Sequence, residues 1–163
     1  MKAPKNSLRR VLAIDPGYDR LGIAVLEGDA SKPVHVWSDC VVPPKGLREL
    51  RLAVVYKAVA DVIRKYQPDI LALETLFFST NKKTAVGVAE ARGAILAAAG
   101  AAQIPVQEYA PQQVKLAVTG YGASDKVGIA RMIPHLISLP PKKRLDDELD
   151  AIALAIAGLA DRR

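Results

Sequence analysis

The fold turns on the stretch Val11-Leu12-Ala13-Ile14-Asp15-Pro16-Gly17. Four apolar residues run directly into one carboxylate, and a Pro-Gly turn follows. A short apolar run bounded by turn residues is the pattern of a strand buried on both faces. Burying a lone carboxylate costs several kcal/mol, about what a small domain has to spare. Asp15 is therefore expected at the strand's end, facing a cleft and compensated by cations.

The chain around this stretch repeats its logic. Leu21-Gly22-Ile23-Ala24-Val25-Leu26 forms a second strand after the turn at residues 16–20, and Val34 to Val42 a third. Strands joined by turns this short make an antiparallel meander. From Leu47 the period changes: Leu47, Leu50, Val54, Ala58, Val62 and Tyr66 recur at helical spacing. Gln67-Pro68-Asp69 ends that helix. Ile70-Leu71-Ala72-Leu73-Glu74 is then a second buried strand closing on a carboxylate. A helix rich in Ala and Gly follows over about 81–101, then a short strand at 106–109. Helical stretches near 111–118, 124–138 and 146–160 complete the chain. Strands alternating with helices after a meander predict an α/β fold, a five-stranded mixed sheet flanked by helices on both faces.

Composition limits the classes of function. The chain has 163 residues, half of them apolar and a quarter charged, which predicts one soluble domain. Residues 1–9 are basic and carry Pro4, so they are expected to form a flexible basic arm ahead of a single domain over 10–163. No apolar run approaches the roughly 20 residues of a membrane helix. The basic start lacks a signal-peptide apolar segment, so the expected location is cytoplasmic, without a membrane partner. The single cysteine, Cys40, allows neither an internal disulfide nor a zinc cluster. His35 and His135 have no motif around them. The net charge of +6 favours a polyanionic partner. The positive residues cluster at Lys2, Lys5, Arg9 and Arg10, at Lys82-Lys83, and at Lys142-Lys143-Arg144.

Within this basic chain the carboxylates gather. Asp15 and Glu74 end two buried strands, where ligands collect in α/β sheets. A third source is Asp146-Asp147-Glu148-Leu149-Asp150, opening an apolar helix. Asp147 and Asp150 are three residues apart and share a helix face. Acidic residues at a helix start also suit its dipole. Carboxylates converging from three segments, however, repel unless cations lie between them. All-oxygen sites suit Mg2+ or Mn2+. Two such ions about 4 Å apart can clamp both oxygens of a phosphodiester under attack. An acidic pocket on a basic protein is the charge pattern of a metal-dependent nuclease.

The residues also carry a family likeness. Ile14-Asp15-Pro16-Gly17 with Leu21-Gly22-Ile23-Ala24 is shared by several nuclease groups. Leu73-Glu74-Thr75-Leu76-Phe77-Phe78, Asn81 and Ala89-Glu90-Ala91-Arg92-Gly93 narrow the match. Tyr109-Ala110-Pro111-Gln112-Gln113-Val114-Lys115, Val118-Thr119-Gly120-Tyr121-Gly122-Ala123, Lys126 and Asp147 with Asp150-Ala151-Ile152-Ala153-Leu154-Ala155 narrow it further. Over residues 10–160 the chain resembles the RuvC Holliday junction resolvases, of the RNase H-like fold. The resemblance implies Asp15, Glu74, Asp147 and Asp150 as catalytic acids binding two Mg2+ ions, with Mn2+ as a substitute. It implies a homodimer that nicks opposed strands of a four-way DNA junction symmetrically, alongside the RuvA and RuvB branch-migration proteins. Lys115 and Lys126 would bind DNA phosphates, Phe77 would stack on bases, and the small-residue helix would form the dimer face.

Some positions depart from the family pattern. Asp146 and Glu148 flank Asp147, leaving the register of the third ligand open. Gly128 and Pro134 interrupt the helix after Lys126 and leave the path of 128–140 open. Three rival readings stand beside the resolvase. One is a related nuclease acting on ribosomal RNA precursors, which the Gln112-Gln113-Val114-Lys115 block disfavours. Another is a non-catalytic junction-binding module, which the four intact acids disfavour. The third is an actin-like ATPase, which needs two such domains and more residues than this chain has.

Overall fold

Five strands form one sheet in the computed structural model, which describes residues 8–76 and 82–161. They are β1 (Arg9–Pro16), β2 (Leu21–Asp29), β3 (Lys32–Val41), β4 (Ile70–Glu74) and β5 (Val106–Tyr109). Their order across the sheet is β3-β2-β1-β4-β5. The short turns make β1, β2 and β3 antiparallel neighbours. Helices α1 (Arg48–Tyr66) and α2 (Lys82–Ala101) carry the chain across the sheet, so β4 runs parallel to β1 and β5 to β4. The expected mixed sheet is present, and β1 lies at its centre.

The strand alternation divides the core into two layers. Val11 and Ala13 of β1 pack with Ala24, Ala72 and three later helices, α3 (Pro111–Thr119), α4 (Lys126–Leu136) and α5 (Asp146–Ala160). Leu12 and Ile14 pack on the opposite face with Val55, Val59, Ile95 and Ala98 of α1 and α2. Leu12, Ile14, Ile23, Leu71 and Leu73 are all fully buried, each contributing about 1.5–3 kcal/mol. The small residues Ala13, Ala24 and Ala72 bring α5 close to the sheet.

Two glycines set that approach. A Cβ on Gly22 of β2 would lie 1.8 Å from the Asp147 carbonyl oxygen, and one on Gly158 of α5 would lie 2.8 Å from Val11 Cγ1. Both ends of α5 therefore press on the sheet where only glycine fits. The acidic first turn of α5 is thereby held at the ends of β1 and β4.

The observed elements differ from expectation mainly at their ends. β1 begins at Arg9, whose guanidinium donates to the Asp161 carbonyl and to Gln107 Oε1. Gly128 falls in the first turn of α4, where its N–H donates to Asp125 Oδ1 at 2.7 Å, so it belongs to a capped terminus. Pro134 does not break α4, which runs two residues further, to Leu136. A proline one turn from a helix end removes only one internal hydrogen bond. Ile133 and Ile137 anchor this segment in the core.

Part of the basic surface is engaged by the chain's own carboxylates. Arg10 pairs with Glu27 and donates to the Tyr66 carbonyl. Lys142 and Arg144 both hold Glu148. Among the described residues no helix is long and apolar enough to cross a membrane.

Candidate active site

Strand register explains how two distant carboxylates meet. Ile14 pairs with Leu73 across the parallel β1–β4 ladder, so Asp15 and Glu74 are the next neighbours along it. Asp15 shares the parity of Val11 and Ala13, and Glu74 that of Ile70 and Ala72; all four partners face α5. Asp147 and Asp150 come from α5 itself. All four carboxylates line one cleft of about 430 Å3, together with Pro16, Gly17, Lys115 and Lys126.

The acidic run at the start of α5 separates by direction. Asp147 faces the cleft. Glu148 points the other way and is 2 % exposed, accepting from Ser38 Oγ at 2.6 Å and Arg144 Nε at 3.2 Å, with Lys142 Nζ at 3.0 Å. Asp146 lines an adjoining groove with Arg131, Val127 and Lys126.

The electrostatics of the cleft are strained toward protonation. Burial, followed by repulsion from Asp150, Glu74 and Asp147, pushes the Asp15 carboxyl up to about 7. Burial and then Asp150 also raise Glu74, against the pull of Lys126, Arg92 and Lys115. The ammonium of Lys126 is 3.1 Å from Asp150 Oδ2, and this hydrogen bond raises the lysine. Arg20 Nε lies 2.9 Å from Asp147 Oδ2. That oxygen is buried and accepts no aligned hydrogen bond from the described residues. The contact is thus an ion pair without hydrogen-bond geometry.

These features suit a divalent cation. The candidate donor set is all oxygen, one Asp147 oxygen is buried with no hydrogen bond from the described residues, and Asp15 is costly to ionise without added positive charge. With Lys126 and Arg20 each holding one carboxylate, no three acidic, His or Cys side chains among the described residues are gathered tightly enough to share one ion.

Several supporting residues have no signature in the sequence as site residues. Arg92 of α2, only 7 % exposed, donates to the Glu74 carbonyl and to Glu108 Oε1. It fixes the backbone at the end of β4. Ser38 joins Glu148 to His35, whose Nε2 is 2.8 Å from Ser38 Oγ. This chain of contacts ties β3 to the first turn of α5. Tyr18 fills the notch above Gly87 of α2, where a Cβ would lie 1.8 Å from its ring. Arg51 sits over that ring and donates to the Tyr18 carbonyl. The turn after Asp15 is thus clamped to α1 and α2. Phe77, Phe78 and Asn81 lie outside the described residues.

Comparison with known proteins gives a consistent result. Residues 11–158 match the family model for crossover junction endodeoxyribonuclease RuvC. The RuvC crossover junction endodeoxyribonuclease of Desulforamulus reducens is 45% identical over 148 residues, covering 90% of each chain. That of Thermosipho melanesiensis is 42% identical over 147 residues, covering 90% of this chain and 94% of its own. Thermus thermophilus RuvC in complex with a Holliday junction substrate superposes with a TM-score of 0.85 at 32% identity, covering 91% of this chain and 92% of its own. A yeast mitochondrial Holliday junction resolvase shares the fold, with a TM-score of 0.71 at 12% identity. With these matches spanning nearly its whole length, the chain belongs to the RuvC family of crossover junction endodeoxyribonucleases.

Proposed function

We propose that this protein resolves four-way DNA junctions by metal-dependent hydrolysis of phosphodiesters, with Asp15, Glu74, Asp147 and Asp150 as the metal-binding catalytic acids. The observation that carries this reading is the meeting of these four carboxylates in one cleft rimmed by Lys115 and Lys126, in a RuvC-family chain. Divalent metal dependence goes with membership of that family, and the oxygen-only donor set favours two Mg2+ ions per site, with Mn2+ as a substitute. Bound there, the ions would supply Lewis acidity to a scissile phosphate and acidify an attacking water.

The chain's own groups do the rest. Asp15 and Glu74, on adjacent rigid strands, fix the floor of the cleft. Asp147 and Asp150 close it from α5. Lys115 and Lys126 offer charge to phosphates flanking the cut, contacts that position DNA without reading its sequence. Phe77 lies three residues past the end of β4 in sequence and is proposed to stack on bases at an opened junction centre. No covalent intermediate is needed, so no serine or cysteine nucleophile is assigned.

Paired cuts on opposed strands call for two sites, and we assign a homodimer through α2. Its side toward the sheet carries Ala91, Ile95, Ala98 and Ala99, while Val86 and Leu96 are exposed. Added Cβ atoms at Gly93 and Gly100 would meet nothing within 4 Å, so this face is open to close approach by a second helix. The nuclease domain, expected over 10–163, takes in Arg9 at the start of β1, and the residues before it act as a basic arm. The setting is the cytoplasm, with RuvA and RuvB as partners in branch migration.

The test is a mobile four-way junction incubated with Mg2+, Mn2+ or chelator, with nicks mapped on every strand. Symmetric nicks on opposed strands, dependent on the ion, support the assignment. Cutting of structured RNA with sparing of the junction favours the ribosomal RNA reading. Binding without cutting under every ion favours a non-catalytic junction module.

A further inference from the structure

Resting on the nuclease reading above, we infer that Arg20 is a displaceable counter-ion of Asp147, a positioning residue that competes with divalent ions for that carboxylate. Three observations lead to it. Arg20 Nε stands 2.9 Å from Asp147 Oδ2, yet this buried oxygen accepts no aligned hydrogen bond. Its electrostatic partner is in place while its lone pairs stay under-used, so a better-directed cation gains more from it than the guanidinium does. The Arg20 side chain is also 46 % exposed, so its ion pair is screened by solvent and it can swing into water with little loss.

The backbone, in contrast, cannot leave. A Cβ on Gly17 would lie 2.3 Å from the Arg20 carbonyl oxygen, and one on Gly22 would lie 1.8 Å from the Asp147 carbonyl oxygen. The turn carrying Arg20 is packed against the strand end that bears Asp15 and against the helix turn that bears Asp147. The guanidinium therefore stays within reach whether or not it is paired. Asp150 is treated differently: Lys126 gives it an aligned hydrogen bond at 3.1 Å from a more exposed side chain. The two α5 acids thus carry separate cations from separate elements, and Asp15 and Glu74 have no ion pair of their own among the described residues. Arg20 holds the Asp147 carboxylate when ions are scarce and yields the oxygen as they bind.

The test is calorimetric titration of Mn2+ into the full-length protein, without DNA, for wild type, Arg20→Gln, Arg20→Lys, Asp147→Asn and the Arg20→Gln/Asp147→Asn pair. Circular dichroism first confirms that each variant is folded. Removing a counter-ion of this exposure should tighten Mn2+ binding by about fivefold in Arg20→Gln, the factor that ~1 kcal/mol represents. Arg20→Lys should stay near wild type, and the gain should vanish in the Asp147→Asn background. Equal or weaker binding by Arg20→Gln overturns the inference. So does an unchanged gain when Asp147 is already neutral, which marks a merely structural role. If wild type takes up no Mn2+ at all, the metal-site reading itself fails, and this inference with it.

Discussion

Asp15→Asn should make the protein more stable while making it inactive. Burial and three neighbouring carboxylates raise Asp15 from 3.8 to about 7. The folded state therefore holds a proton that the unfolded state has released between those two values. Stability falls with pH wherever the native state binds more protons. The Asp15 contribution is absent below about pH 4, grows through the interval, and levels off above about pH 7. Roughly three units at 1.36 kcal/mol each make the ionised carboxylate cost about 4 kcal/mol at alkaline pH. Asparagine is close in shape to the protonated acid and never carries the charge. Urea unfolding in EDTA should thus find Asp15→Asn similar to wild type at pH 4 and up to ~4 kcal/mol more stable at pH 8. Added Mn2+ should reverse the order, since only wild type gains the RT ln(1 + [L]/Kd) of a specifically bound ion. A variant less stable than wild type at pH 8 in EDTA, or a difference independent of pH, would refute this picture of a strained carboxylate.

Other consequences bear on the supporting shell. Arg92→Ala removes a nearly buried guanidinium from the Glu74 carbonyl and Glu108, and should cost about 2–3 kcal/mol in chemical denaturation. Glu148→Ala leaves Arg144 without its carboxylate and should cost about 3 kcal/mol, with cleavage falling as the first turn of α5 loosens. Gly22→Ala drives a Cβ into the Asp147 carbonyl; overpacking of about 1–3 kcal/mol should appear as a lowered Tm together with weakened Mn2+ binding. Lys115→Ala or Lys126→Ala should slow cutting and reduce the slope of log binding constant against log salt by about 0.9 for each phosphate no longer neutralised. An unchanged salt slope in filter binding would deny that either lysine pairs with the DNA backbone.

Much of this arrangement is legible in the chain. A buried strand ending in a carboxylate is visible at Ile14-Asp15 and again at Leu73-Glu74, because the cost of burying charge confines such residues to strand ends. The i, i+3 spacing of Asp147 and Asp150 shows a shared helix face. The β1-β2-β3 meander follows from its short turns, whereas the placement of β4 beside β1 is seen only in the fold. What the sequence hides depends on distances across the fold. Glu148 is chemically as good a ligand as Asp147, and only the packing of α5 on Gly22 turns one inward and the other toward Ser38. Arg20 and Arg92 have no partner visible in the sequence, yet tertiary packing brings Arg20 to Asp147 and Arg92 to Glu108, while Lys142 and Arg144 of the basic cluster turn to Glu148 a few residues on. Pro134 reads as a break, yet at the last turn of α4 it costs little and the helix continues.

The most direct test of the carboxylate cleft is cleavage of a mobile four-way junction by Asp15→Asn and Asp150→Asn beside wild type, with junction binding measured on the same preparations. Both variants should bind the junction about as tightly as wild type and fail to cut it in Mg2+ or Mn2+. Cutting at the wild-type rate by either variant would contradict the assignment of these acids to the metal site.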